Sequence, residues 1–341
     1  VELASDLIKI NTVNPYSGDE PIGSEAEGQE RLRKALVPYS PDIEMFDCPA
    51  DIYSRMNVIG PEGRDFRDRP NLVASWPFGQ DGPTLILNDH MDTVGVSTMS
   101  IDPFSGEIRD GRIWGRGSSD SKGCLVSAVW AAAAVSRCAN DLCGKLILES
   151  AVDEECNGSG AGTLACCERG YRGDAAVVVD GDGLSIIHGV GGVVTADVTV
   201  YGQEGHASQR SGVNAIDKAT FLKGAIDAYK TARAVKVPYY PVNLGVFRAG
   251  SVPAVVPGEA YLSVNICYTD EEAVEARENG HEHEGQDVFQ TFCGAVRNRE
   301  SEDAWFLENP SKITWVKDLI PFSIPKEIGR ASCRERVCHR V

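Results

Sequence analysis

The sequence has few basic residues and no long apolar run. Its 341 residues contain 33 lysines and arginines against 50 aspartates and glutamates, which gives a formal net charge of −17. Nucleic-acid backbones select surfaces rich in lysine and arginine, so this balance argues against a nucleic-acid partner. The longest apolar candidate, Cys124–Val135, falls short of the ~18 residues that a membrane-spanning helix needs. We therefore expect neither nucleic acid nor a membrane as a partner.

Paired cysteine motifs are also absent. The 11 cysteines are scattered along the chain and none forms a CxxC pair, which argues against a zinc ribbon and against a cysteine-based redox protein. We interpret most of these thiols as reduced, as in a cytosolic protein. The sequence shows no signal peptide. Together these observations predict a cytoplasmic protein.

Short apolar runs alternate with helical patterns over residues 1–190. Runs of strand length occur at Asn71–Trp76, at Thr84–Asp89, in "GKLILESA" and in "DAAVVVD". Helical spacing occurs at Glu2–Ile10, Ala26–Tyr39 and Gly123–Ser136, and Asp110-Gly111 predicts a hairpin turn. Strands that alternate with helices and end in polar clusters predict an α/β sheet with a site at one edge.

The pattern changes near Gly191. From there a strand, an amphipathic helix, two strands, a helical stretch broken at Gly280 and a fourth strand follow in the order β-α-β-β-α-β. This order is the signature of a ferredoxin-like unit, which we place at residues 191–325. Residues 326–341 are basic in an otherwise acidic chain and resemble translated adapter DNA. We therefore expect a non-native tail and do not interpret Cys333, Cys338 and His339 as a metal site.

Acidic or histidine clusters follow four strands or loops of the first region. They are "DHMD", "GRGSSDSKG", "DEE" and "VVVDGDG". One carboxylate at a strand end is more often a helix cap or a loop residue than a metal ligand. Four clusters at the same sheet edge would repel one another unless cations lie between them. Histidine with carboxylates is a ligand set for zinc, and a carboxylate shared by two ions makes a two-metal hydrolytic site.

These motifs carry a family resemblance. "HMDTV", "GRGSSDSKG", "DEECNGSG" and "GHASQRSGVNAI", in this order, make the chain similar to the dinuclear zinc amidohydrolases and metallopeptidases. That family includes acetylornithine deacetylase, succinyl-diaminopimelate desuccinylase, aminoacylase and glutamate carboxypeptidase. The resemblance implies an α/β metallopeptidase domain at residues 1–190 and an inserted ferredoxin-like lid that forms a homodimer.

The resemblance also implies an activity. The expected reaction is hydrolysis of an amide bond in an N-acyl amino acid or small peptide, with a metal-bound hydroxide as the nucleophile. Two Zn²⁺ ions are the expected cofactors, and Co²⁺ or Mn²⁺ would suit the same ligands. The alternative is a non-catalytic or inactive truncated homologue that binds metal and small amides.

Roles for individual residues follow from the same resemblance. His90 and Asp180 are expected to ligate one metal, Asp120 to bridge both, and Glu155 to ligate the second. Asp182 is a rival to Asp180. Asp92 is expected to orient the His90 imidazole, Glu154 to act as general base, and His206 to stabilise the oxyanion. A cis peptide bond is expected after Asp120.

The chain departs from the family pattern in three places. Relatives supply a last histidine ligand from a terminal segment, so we expect a chain truncated near Pro325 that lacks this ligand. Ala254 stands where many relatives have an asparagine that helps to hold substrate, which leaves Arg210 and Arg248 as candidates for carboxylate recognition. Asp89 stands where relatives usually have a small residue, and the sequence offers no explanation for it.

Overall fold

The chain forms two compact units, Val1–Ile187 and His188–Ser323. The structure is a computed structural model that describes residues 1–79, 81–138, 140, 142–180, 186–209, 211–239 and 241–324. Asp182, Arg210 and the predicted non-native tail of residues 326–341 lie outside the described residues.

The first unit contains a five-stranded mixed sheet. Its elements in chain order are α1 (Glu2–Lys9), α2 (Glu25–Leu36), β1 (Asp42–Asp47), α3 (Ile52–Arg55), β2 (Pro70–Phe78), β3 (Thr84–His90), β4 (Glu107–Arg109), β5 (Arg112–Trp114), α4 (Lys122–Ser136), β6 (Gly144–Ala151), α5 (Ala161–Glu168) and β7 (Ala175–Val178). The strand order is β1-β2-β6-β3-β7. Strands β6, β3 and β7 are parallel, whereas β1 pairs with β2 and β2 with β6 in antiparallel fashion. The loops that follow the three parallel strands therefore meet at one edge.

Apolar residues cover both faces of this sheet. On one face, Leu146 and Leu148 of β6 belong to a buried cluster with residues of α1, α2 and α4. On the other face, Ile147 of β6 packs with Ile86 of β3 and Cys166 of α5. Because successive strand residues point to opposite faces, burial on both sides produces the continuous apolar runs seen in the sequence.

The predicted hairpin turn is confirmed. Strands β4 and β5 pair through Arg109 and Arg112 and are joined by Asp110 and Gly111. These two residues have φ angles of 54° and 72°. A two-residue hairpin loop with positive φ at both positions suits the twist of the strands and favours aspartate followed by glycine.

The second unit has the predicted β-α-β-β-α-β order. Its elements are β8 (Gly189–Val190), β9 (Gly192–Tyr201), β10 (Gly205–His206), α6 (Ala215–Arg233), β11 (Val242–Ala249), β12 (Val255–Val256), β13 (Glu259–Tyr268), α7 (Asp270–Glu278), α8 (Gln286–Glu300), α9 (Ala304–Glu308), β14 (Lys312–Leu319) and β15 (Phe322–Ser323). The main sheet is antiparallel in the order β11-β13-β9-β14. Residues of α6 and α8 form its core with the strands. Gly280, with φ 77°, lies between α7 and α8, where the helical break was predicted.

The predicted α/β fold class is confirmed. Strand β1 was not predicted, because the acidic residues of "DIEMFD" obscure a weak apolar alternation. Nine cysteines of the described ranges form no disulfide bond, and their reduced state stays a prediction. Among the described residues, no helix is both long and apolar enough to cross a bilayer.

Candidate metal centre

The predicted ligands of the first unit come together at the carboxyl edge of its parallel strands. His90 is the last residue of β3 and pairs in register with Ala151, the last residue of β6. Glu154 and Glu155 follow β6, and Asp180 follows β7. Asp120 lies two residues before α4 begins at Lys122. The parallel register of β6, β3 and β7 therefore places residues that are distant in sequence at one edge.

The His90 imidazole lies at the centre of this cluster. Its side chain is 2% exposed, and Nε2 lies 3.1 Å from Asp120 Oδ1. The same nitrogen lies 3.8 Å from Asp180 Oδ2 and 3.9 Å from Glu154 Oε2. Three carboxylates thus surround one ring nitrogen.

The donor set suits divalent cations. His90, Asp120 and Asp180 each offer one ligand atom, and these atoms lie within 4.8 Å of one another; the same holds for His90, Glu154 and Glu155. Glu155 Oε1 is buried and has no hydrogen-bond partner among the described residues. A buried carboxylate oxygen without a donor, beside further acids, is suited to bind a cation. An imidazole nitrogen and carboxylate oxygens match the ligands of zinc and similar ions.

Electrostatics of the cluster point the same way. Burial lowers the pKa of His90, but hydrogen bonds to Asp120 and Asp92 and the charges of Asp92 and Glu154 outweigh it and raise that pKa to about 12. Burial, reinforced by the charges of Asp120 and Glu154, raises the pKa of Glu155 to about 7. Without a metal, these acids hold a proton on the imidazole. A cation in the cluster would take the place of that charge.

Asp92 contacts the other ring nitrogen of His90, mainly through its backbone carbonyl. The His90 Nδ1 atom lies 2.9 Å from the backbone carbonyl oxygen of Asp92 and 3.6 Å from its carboxylate. The fully buried carboxylate instead accepts the backbone N–H groups of Glu154 and Glu155, at 3.3 and 3.2 Å. Asn14 Nδ2 also donates to it, at 2.7 Å. Asp92 therefore ties the end of β3 to the loop that carries two predicted site residues.

A buried charged network that no sequence motif predicts lies beside this loop. Asp153 Oδ1 lies 3.0 Å from Arg64 Nη1 and 3.6 Å from Arg69 Nη1. Tyr53 donates its hydroxyl to Asp153 Oδ2 at 2.9 Å, and Arg69 makes an ion pair with Glu25 at 2.6 Å. The only signal in the sequence was the "DEE" motif, in which Asp153 precedes Glu154; neither arginine belongs to a recognisable motif.

The remaining predictions fall elsewhere. His206 lies in the second unit, in β10, which pairs with β12. Its imidazole is exposed, and Nδ1 lies 2.8 Å from the Ser208 hydroxyl. Arg248, at an exposed position of β11, is in the same unit. In the first unit, the Asp120–Ser121 peptide bond is cis, as the family resemblance implied.

Comparison with known proteins gives one family. The model of peptidase family M20/M25/M40 matches residues 86–314. An N-formyl-4-amino-5-aminomethyl-2-methylpyrimidine deformylase of Halalkalibacterium halodurans is 27% identical over 336 residues, which cover 92% of this chain and 70% of that protein.

Solved structures share the fold. The dipeptidase Dug1p of Saccharomyces cerevisiae matches with a TM-score of 0.66 and 15% identity, over 95% of this chain and 78% of that one. A dinuclear metal-binding M20 peptidase of Bacillus subtilis, YXEP, matches with a TM-score of 0.55 and 12% identity, over 95% of this chain and 75% of that one. At these identities the likeness concerns the fold.

Proposed function

The chain belongs to peptidase family M20/M25/M40, whose members are metal-dependent hydrolases, and from this membership we propose that it cleaves the amide bond of an N-acyl amino acid or a small peptide. The observation that supports the proposal is the group of carboxylates around His90 Nε2. Acids gathered on one imidazole at the edge of a sheet are suited to hold cations next to a scissile carbonyl.

We propose two Zn²⁺ ions as the cofactor. His90, Asp120 and Asp180 would hold one ion, and Asp120 with Glu155 would hold the second. When bound, such ions polarise a carbonyl oxygen and lower the pKa of water. Co²⁺ and Mn²⁺ are the alternatives, since the same ligands accept them.

Glu154 is the proposed general base. Its side chain is 53% exposed and its carboxylate lies at the edge of the cluster, 3.9 Å from His90 Nε2. Partial desolvation by the surrounding protein and the charges of Asp92, Asp180 and Asp120 raise its pKa, against the effect of His90. A carboxylate with a raised pKa can accept a proton from the attacking water and donate it to the leaving amine nitrogen when the C–N bond breaks.

His206 is the proposed donor to the oxyanion. Its ring is exposed and bonded to Ser208 alone among the hydrogen bonds of the described side chains, so its Nε2 atom is free to bind a substrate oxygen. A donor of this kind stabilises the negative charge that develops on the carbonyl oxygen.

We further propose a cytoplasmic homodimer formed through the second unit.

A second candidate reaction is removal of a formyl group from an amine. The Halalkalibacterium halodurans relative carries the name of such a deformylase, and it covers 92% of this chain. Ala254, in place of the asparagine common in the amidohydrolases that the chain resembles, is compatible with a substrate that has no amino-acid carboxylate. Both candidates involve hydrolysis of a small amide.

The test is an amine-release assay with Zn²⁺, Co²⁺ or Mn²⁺ added to metal-free protein. The substrates are N-acetyl, N-succinyl and N-formyl amines and amino acids, together with dipeptides. Metal-dependent release that stops on addition of a chelator supports the proposal, and the preferred acyl group separates the two candidates. Metal binding without turnover of any substrate supports the non-catalytic alternative, and turnover in the absence of metal contradicts the proposal.

A further inference from the structure

Asp89 is a buried acid next to the metal centre that the proposed mechanism does not use. It precedes His90 on β3, and its side chain is 2% exposed. Successive strand residues point to opposite faces, so the Asp89 carboxylate leaves the sheet on the side opposite His90. Its Oδ2 atom has no hydrogen-bond partner in the described part of the chain.

The other oxygen of Asp89 connects two segments that carry predicted ligands. Oδ1 accepts the backbone N–H of His90 at 2.8 Å. The same oxygen accepts the hydroxyl of Ser121. Ser121 is fully buried and directly follows Asp120, the predicted bridging ligand. One carboxylate oxygen therefore links His90, at the end of β3, to Ser121. Ser121 lies between Asp120 and the start of α4.

A buried acid at position 89 is energetically unfavourable unless its hydrogen bonds stabilise the site. Asp89 is 2% exposed and its Oδ2 atom is buried, so the carboxylate is shielded from water. Within the described residues, the hydrogen-bond donors to Asp89 are the His90 backbone N–H and the Ser121 hydroxyl, and neither is an arginine or a lysine. A neutral or small residue would avoid the cost of burying a charge. The two hydrogen bonds that Oδ1 accepts offset part of that cost.

We propose that Asp89 is a positioning residue, which fixes Asp120 relative to His90 by accepting the Ser121 hydroxyl. It contacts neither substrate nor metal and acts through the bridging ligand. The inference rests on the proposed metal centre but does not depend on which amide is cleaved. Residues that orient metal ligands typically change metal affinity by about 10–100-fold when they are removed.

The experiment measures binding of Co²⁺ to metal-free protein, by chelator competition and by the visible absorption spectrum of the bound ion. The variants are Ser121→Ala, Asp89→Ala, Asp89→Asn and the double variant Ser121→Ala with Asp89→Ala. We expect Ser121→Ala and Asp89→Ala each to weaken Co²⁺ binding by about 10–100-fold and to alter the spectrum. The double variant should lose no more than either single one, because both remove the same contact. Asp89→Asn retains an acceptor oxygen and should restore most of the affinity.

Glu149→Gln is the matched control. Glu149 is also a buried acid, on neighbouring strand β6, with one oxygen unpartnered among the described residues. Its described hydrogen bond comes from the Asn88 side chain and not from Ser121 or the His90 backbone. This variant should bind Co²⁺ as the unchanged chain does. Normal Co²⁺ affinity of Ser121→Ala, or additive losses in the double variant, would contradict the positioning role. Absence of Co²⁺ binding by the unchanged chain would instead contradict the metal centre itself.

Discussion

Two neighbouring groups of acids in the first unit differ in how their negative charge is balanced. Asp153 has a fully buried side chain and contacts Arg64 at 3.0 Å and Arg69 at 3.6 Å. Glu154, the next residue in sequence, is 53% exposed and faces the His90 imidazole at 3.9 Å. Two consecutive acids therefore belong to different electrostatic environments.

The difference separates a structural group from a ligand group. In the arginine network, Glu25 and Asp153 are matched by the cations of Arg64 and Arg69. In the metal centre, the acids around His90 outnumber the single cation that a protonated imidazole can provide. The second group needs cations from solution, whereas the first is complete within the protein.

The largest expected effect comes from changing Glu154, the exposed acid beside His90. Glu154→Gln should lower kcat by about 10²–10⁴-fold, because the amide cannot accept a proton. Bound metal should remain. Steady-state kinetics and metal analysis of the purified variant measure both quantities, and turnover at the normal rate would remove Glu154 from the role of base.

The variant Arg69→Met tests the buried arginine network. Loss of the guanidinium leaves Glu25 without its ion-pair partner, whereas Asp153 keeps Arg64. The free energy of unfolding should therefore fall by about 3–5 kcal/mol. Urea denaturation followed by circular dichroism measures this change. The control is Arg67→Met, two residues away: Arg67 is 86% exposed and pairs with Asp65 on the surface. The control should show no measurable change, and an equal loss in both variants would argue against the importance of burial.

A histidine outside the acid cluster extends the test to the second unit. His206→Ala should lower kcat by about 10²–10³-fold and leave KM and metal content nearly unchanged, because the lost donor acts on the transition state. His281, whose Nε2 atom lies 2.8 Å from Asp287 Oδ1, has no proposed role, so His281→Ala is the control. A rise in KM alone would indicate that His206 binds substrate without stabilising the oxyanion.

The smallest expected effect concerns a third buried acid, Glu149. Its described hydrogen-bond partner is Asn88, and it belongs to no predicted metal site. Burial raises its pKa to about 7, against a hydrogen bond from Asn88 that lowers it. The folded state therefore binds this proton more tightly than the unfolded state does. The resulting stability is present below pH 4.5 and is lost as the pH rises toward 7.

Glu149→Gln should remove this pH dependence. At pH 8 the variant should be more stable than the unchanged chain by up to about 3 kcal/mol, and at pH 4 the two should be equally stable. Urea denaturation across this pH range gives the difference. The same slope in both proteins would show that Glu149 does not titrate between the folded and unfolded states.

The main elements of both units could be predicted from local patterns. Apolar runs predicted β3 and β6, and the helical spacing of apolar residues predicted α6. The residues around His90 could be predicted because the motifs that carry them are short and contiguous. These predictions depend on information within a few residues of each position.

The arginine network and the role of Asp89 could not be predicted in this way. Arg64 and Asp153 are 89 residues apart in sequence, and Asp89 and Ser121 are 32 apart. Such hydrogen bonds depend on how strands and loops pack. The neighbouring sequence does not distinguish a surface arginine from a buried one. Arg67 and Arg69, two residues apart and in opposite environments, illustrate this limit.

The parallel register of β6, β3 and β7 has a consequence for how the chain folds. His90 and Asp120 are 30 residues apart, and the other ligands come from still more distant segments. Closing loops of this length is slow compared with forming local helices, and parallel pairing cannot begin with a tight turn. An ion in solution therefore meets no complete ligand set until the strands are aligned. Bound metal should slow the unfolding of the folded protein, but it should not accelerate the early steps of folding.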